Sequence, residues 1–258
     1  MSASTLDAIP YAGIRAVLPQ LLAGVQSLLG DDLLALYLHG SLTGGDFDPE
    51  RSDIDVAVVI ARELPDALMP ELAALHARLT AGGLPWAARL DGAYIPQHTL
   101  RGTGAVQARF LCFGTDGLVV EHFGSDWLVQ RHSIREQGVA LAGPAPQALI
   151  DPLPPDGLRR AALGVLHEWW SPPAFDPEHL SRSQDRAFWV LTVCRVLYTL
   201  HHGALASKPA AARWAQEALG EPWATLIAQA LAWRQGMAFD PLEETLDLIR
   251  HALARSQQ

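Results

Sequence analysis

Apolar residues follow two different periods along the first half of the chain. In "GIRAVLPQLLAGVQSLLG" (13–30) they recur every three or four positions, which is the spacing of one helix face, and "PDALMPELAALHARLTAGG" (65–83) repeats that period. Between these helices, "LLALYLHG" (33–40) and "SDIDVAVVI" (52–60) are short apolar runs rich in branched residues, and "WAARLDGAYIP" (86–96) alternates. These three stretches read as strands. Strands separated by helices predict an α/β layer. The stretch "VQARFLCFGTDGLVVEHFGSDWLVQRHSI" (106–134) is expected to add a hairpin that closes the sheet.

The pattern changes at the proline-rich "GPAPQALIDPLPPDG" (143–157), where a domain boundary is expected, giving units 1–150 and 151–258. Beyond it almost everything has the helical period. Helices are predicted over 158–170, 183–202, 208–219, 222–235 and 241–255, with Pro209, Pro222 and Pro241 near helix starts, where a missing N–H does least harm. Five helices on short loops suggest an all-α bundle.

The chain has 258 residues, 49% hydrophobic and 18% charged, enough to fill a core in each of two globular units. No apolar run approaches the roughly 18 to 20 residues of a membrane span, and the N-terminus has no leader pattern, so we expect a cytoplasmic protein that does not engage a membrane. Net charge is −9 and no Lys/Arg cluster is present, which argues against a nucleic-acid partner and suits a cationic small molecule. Cys112 and Cys194 form no C-x-x-C unit, so neither a disulfide framework nor a cysteine zinc site is expected. Cys194 reads as a small core residue, and His201-His202 as partners for helix-end carbonyls. A monomer is expected.

Candidate chemistry lies in "YLHGSLTGGDFDPERSDIDVAVVI" (37–60). On a strand, residues two apart face the same way, so Asp53 and Asp55 project together with Cα atoms roughly 6 to 7 Å apart. Side-by-side carboxylates repel and need positive charge, for which hard Mg²⁺ with oxygen ligands is the usual solution. Upstream, Gly40-Ser41 and then Gly44-Gly45 offer backbone N–H groups that can face phosphate oxygens. No G-K-[ST] follows, so the segment is not a P-loop.

Gly40-Ser41, Asp53-x-Asp55 and the later acid Asp91 together resemble the nucleotidyltransferase superfamily that shares its fold with DNA polymerase β. "EWWSPP", "VLTVCRVLYTLHHGALASKPAAARWA" and "ALAGPAPQALIDPLP" are similar to the streptomycin/spectinomycin adenylyltransferases, and the likeness spans nearly the whole chain. The resemblance implies an α/β nucleotidyltransferase domain with a mixed sheet, followed by an all-α helical domain. It implies transfer of AMP from ATP, with two Mg²⁺ ions, to a hydroxyl of an aminocyclitol antibiotic, with pyrophosphate leaving. Asp53, Asp55 and Asp91 would be metal ligands, Asp91 also the general base, and Gly40 and Ser41 phosphate contacts.

In the same family a basic residue of the long helix and a lysine just after it reach ATP across an interdomain cleft. Arg195 and Lys208 match, although an ion pair within the domain and a solvated lysine would also account for them. Trp169 and Asp185 match antibiotic-binding positions, while either Trp169 or Trp170 could simply be core. Two departures stand out: Ala174 occupies the place of a second family acid, and Asp91 replaces a glutamate, shortening its reach by one methylene. Other readings remain open at this point: a nucleotidyltransferase with a different hydroxyl acceptor, metabolite or protein, or a nucleotide- or drug-binding module without turnover.

Overall fold

The structure, a computed structural model, describes residues 6, 9–102, 108–115, 117–170 and 177–255. It divides into two compact units. The first comprises Met1–Phe47, Ser52–Phe123 and Gln130–Pro152; the second comprises Asp48–Arg51, Gly124–Val129 and Leu153–Gln258.

The first unit opens with α1 (Ala12–Leu29), then β1 (Leu33–Leu38), a single turn α2 (Ser41–Gly44) and β2 (Ile54–Ile60). Next come α3 (Met69–Ala81), β3 (Leu90–Pro96) and the hairpin β4 (Ala108–Gly114) to β5 (Gly117–Phe123). A helix α4 (Ser125–Gln137), the strand β6 (Val139–Ala142) and a short α5 (Pro146–Leu149) complete the half of the chain before residue 150. The six strands are ordered β5-β4-β3-β2-β1-β6, and of the pairings between them only β2–β3 is parallel.

One face of this sheet is apolar over its central strands. Val56 and Val58 of β2, Leu36 of β1 and Tyr94 of β3 pack into a core with Ile14, Val17, Leu18, Leu21 and Val25 of α1, which recur at the i, i+3, i+4, i+7 spacing. Leu72, Leu75 and Leu79 give α3 its own buried stripe in the same core. Because strand side chains alternate, burying Ile54 and Val56 on this face commits Asp55 to the other.

Two sequence expectations change here, and one strand had gone unread. Residues 106–134 are not all hairpin: β5 ends at Phe123 and "SDWLVQRHSI" is the start of α4, where the Asp126 carboxylate accepts from the Gly124 amide at 2.9 Å. The edge strand β6, only four residues long, had no alternation to announce it. The segment Ala12–Asp32 is long and apolar enough by length and composition to cross a membrane, contrary to the sequence reading, but its apolar face is the one that fills the core just described.

The second unit holds α6 (Pro155–Trp170), α7 (Ser183–His202), α8 (Lys208–Leu219), α9 (Trp223–Ala232) and α10 (Leu242–Arg255). The other four helices pack on α7, whose Val190, Val193 and Cys194 are fully buried. Cys194 and Cys112 are both free thiols, and burial pushes the Cys194 thiol up to about 12. Ser207 caps α8 by accepting from the Ala210 amide at 3.3 Å, which places Lys208 and Pro209 in the first turn. α9 is shorter than the predicted 222–235. Trp233 turns extended (ψ 140°), and the Arg234 guanidinium donates to the carbonyls of Leu231, Ala232 and Trp233, satisfying the freed helix end.

Candidate active site

The site in the first unit is built by sheet register. β2 and β3 run parallel with Asp55 opposite Asp91, Ile54 opposite Leu90 and Val56 opposite Gly92. Neighbouring strands lie ~4.8 Å apart and paired residues face the same way, so the carboxylates of Asp55 and Asp91 rise from one face on adjacent strands. Asp53 stands immediately before β2 rather than inside it. Its carboxylate faces the Arg89 guanidinium at 3.8 Å, and Arg89 immediately precedes β3 as Asp53 precedes β2. Arg89 also donates to the Ser52 carbonyl and lies 5.0 Å from the Trp86 ring centroid. Sequence reasoning passed over Arg89, because only the register brings it to Asp53.

Asp91 is the second residue of β3, not the cap of a turn. Its carboxyl is pushed up to about 6, first by the protein that crowds it, then by the negative charges of Asp53 and Glu121; the Gly92 amide, a hydrogen-bond donor, opposes the rise. The residue nevertheless keeps a solvent-accessible side. Glu121, on β5, carried no sequence signal, since its influence on Asp91 depends on how the sheet is ordered.

Two glycines are required here by space. Gly40 has φ +70°, and a Cβ on it would sit 1.9 Å from the Asp55 Oδ2 atom. The backbone of the Gly40-Ser41 step is therefore pressed against the Asp55 carboxylate. Gly92 is equally constrained, its missing Cβ lying 2.0 Å from the Val56 carbonyl, which lets β2 and β3 pair closely beside the two aspartates. Ser41 begins α2, and Gly44 donates to the Gly40 carbonyl at 2.9 Å. The first amides of any helix lack an intrahelical acceptor, so this turn presents N–H groups next to Asp55. Before it, burial pushes His39 down to about 4 and keeps it neutral.

Among the described residues, no group of three or more His, Cys, Asp or Glu side chains is gathered closely enough to cage a metal ion by itself. Asp53, Asp55 and Asp91 therefore do not form a closed cage of three. Mg²⁺ is commonly held by one or two carboxylates, with phosphate oxygens and water completing the shell, and paired carboxylates on one sheet face beside a glycine turn supply that kind of partial site.

In the second unit, Asp185, Phe188, Thr192 and Arg195 fall within one quarter of the circumference of α7, at 100° per residue. Asp185, in the first turn, pairs with Arg182 at 2.9 Å and remains partly exposed. Arg195 is half-buried in this stripe. The Lys208 ammonium sits 3.8 Å from the centroid of the Phe188 ring. Of the two tryptophans ending α6, Trp170 is core at 3% exposure, whereas Trp169 is 39% exposed with its ring 5.5 Å from that of Trp189. Ala174 lies outside the described residues.

Two arginines of α7 divide along a line the sequence did not draw. Arg186 has a structural role: at 9% exposure it donates to the carbonyls of Phe239, Leu180 and Ser181. His201 and His202 stack among Tyr198 and Trp214 at the end of α7. Glu168, also unremarked in the sequence, accepts from both the amide and the hydroxyl of Ser125, at 2.9 and 2.6 Å.

Comparison with known proteins places both halves. Residues 18–83 match the nucleotidyltransferase domain, and residues 148–257 match the family described as the aminoglycoside adenylyltransferase C-terminal domain. An aminoglycoside (3'') (9) adenylyltransferase of Escherichia coli is 27% identical over 248 residues, 92% of this chain and 90% of the relative. A spectinomycin 9-adenylyltransferase of Staphylococcus aureus is 24% identical over 229 residues, 81% of this chain and 80% of the relative. Among solved structures, the spectinomycin adenyltransferase AAD(9) from Enterococcus faecialis, determined with ATP and spectinomycin, superposes with a TM-score of 0.75 at 17% identity. That superposition covers 94% of this chain and 99% of the other, and it establishes a shared fold.

Proposed function

Because the chain belongs to the aminoglycoside adenylyltransferase family of nucleotidyltransferases, we propose that it transfers AMP from ATP to a hydroxyl of streptomycin or spectinomycin, releasing pyrophosphate and conferring resistance. The observation that carries this reading is the placement of Asp55 and Asp91 on paired strands, with Asp53 one residue ahead of β2 and the Gly40 backbone against Asp55. The AAD(9) relative, solved with ATP and spectinomycin, supports both substrates.

Each residue then has a distinct task. Asp53 and Asp55, with Asp91, would hold two Mg²⁺ ions, which when bound neutralise charge on the triphosphate and polarise the α-phosphate. The Gly40 and Ser41 amides and the Ser41 hydroxyl donate to the outer phosphates. Asp91 accepts the proton of the acceptor hydroxyl as its oxygen bonds to the α-phosphorus and the α–β bridging bond breaks. A carboxyl with a raised pKa is a better proton acceptor than an ordinary one, and it still ionises below neutral pH. Arg195 and Lys208, in the helical unit, would supply positive charge to a nucleotide phosphate. Asp185 pairs with an ammonium or guanidinium of the drug, exchanging Arg182 for it, and the exposed face of Trp169 stacks on a ring or cation.

The deciding experiment is pyrophosphate release by the purified protein with Mg-ATP and each drug in turn, run beside resistance of a susceptible bacterium expressing it. Release with either drug supports the reading. Release only with another hydroxyl acceptor would reassign the substrate and leave the donor site intact.

A further inference from the structure

Phe188 is among the few large apolar side chains left on the surface of the helical unit, at 47% exposure, and Lys208 covers it. An ammonium 3.8 Å from a ring centroid, held above the face, is a cation–π contact, attracted by the negative face of the ring. The ring is itself braced. Phe188 meets Trp189 edge-on, with centroids 5.7 Å apart and planes at 90°, and Trp189 meets the buried Trp170 at 4.7 Å and 89°. Trp189 is 7% exposed, so the series runs from the core outward to the lysine.

We propose that Phe188 is a positioning residue for the nucleotide, acting through Lys208. The inference rests on the reading above, in which Lys208 binds phosphate. A lysine loses rotamer entropy when its four-carbon stem is fixed, and a place in the first turn of α8 alone does not fix it. The Phe188 ring takes the stem and ammonium to one place before ATP arrives, so less entropy is lost on binding. Phe188 shares its stripe of α7 with Arg195, seven residues on, so the lysine is gathered to the same helix face as the other basic residue of the site.

The test is calorimetric titration of the full-length protein with Mg-ATP, without any acceptor, for wild type, Phe188→Leu, Phe188→Trp, Lys208→Met and the Phe188→Leu/Lys208→Met double variant. Leucine keeps an apolar contact and removes the quadrupole. We expect about a 2- to 10-fold weaker Kd for Phe188→Leu and wild-type affinity or better for Phe188→Trp. In the Lys208→Met background, Phe188→Leu should change nothing further. Equal or tighter ATP binding by Phe188→Leu, or an undiminished effect of it in the Lys208→Met background, overturns the proposal. If Lys208→Met binds ATP as wild type does, the phosphate role of Lys208 fails and the inference falls with it, and absence of binding by wild type would sink the donor-site reading as a whole.

Discussion

Asp55 of β2 lies directly opposite Asp91 of β3 in a parallel register. Two carboxylates on one sheet face, one strand spacing apart, repel each other, and packing gives no reason to keep them there. The proposed metal site would give them a shared task. Asp55→Asn and Asp53→Asn should therefore each cost at least about 100-fold in pyrophosphate release with Mg-ATP, since even outer-shell changes at metal sites cost 10- to 100-fold. Near-normal turnover by either variant would remove it from the metal site.

Asp91→Asn should lower kcat by about 10² to 10⁴ with ATP affinity little changed. The wild-type rate should fall on the acidic side as Asp91 takes up its proton, with bound Mg²⁺ moving that fall below the metal-free value of about 6. Stability moves the other way. The folded carboxyl titrates near 6 rather than 3.8, so its favourable contribution is complete below about pH 4 and is lost as pH rises through 6. Asp91→Asn should thus melt above wild type at pH 8 without metal, with the gap closing below pH 4.

Gly40→Ala is expected to be disproportionately harmful for one methyl group. The backbone there has φ +70°, and the new Cβ would be driven into the Asp55 carboxylate. Thermal unfolding should show a loss of about 1 to 3 kcal/mol, and activity should fall further than stability does, because the displaced group is Asp55.

Arg195→Ala and Arg186→Met separate the two arginines of α7. Replacing Arg195 should raise KM for ATP about 10- to 100-fold, the worth of a hydrogen bond to a charged group, with the melting temperature little changed. Replacing Arg186 strands three carbonyls it now satisfies, so stability should drop by several kcal/mol instead. Reversed outcomes would exchange their roles.

What the chain determines locally was legible without the structure. Helical spacing in α1, α3 and α7 and the apolar runs of β1 and β2 follow from burial of one face; the D-x-D spacing was visible too, but strand alternation speaks only for Asp55, because Asp53 lies before β2. The span of α7, 183–202, is bounded by its own sequence, which ends with Gly203 in the left-handed conformation. Longer-range relations had no such signal. Which strand lies beside β2, and in which direction, depends on how the two strands pack over α1 and α3. That packing alone sets Asp55 against Asp91, Asp53 against Arg89 and Gly40 against Asp55. The same holds in the helical unit: Lys208 and Phe188 are twenty residues apart, and only the packing of α8 on α7 lays the ammonium on the ring. A sequence fixes periods and turns through neighbouring residues, whereas a site made of residues from separate elements exists only once their cores have packed.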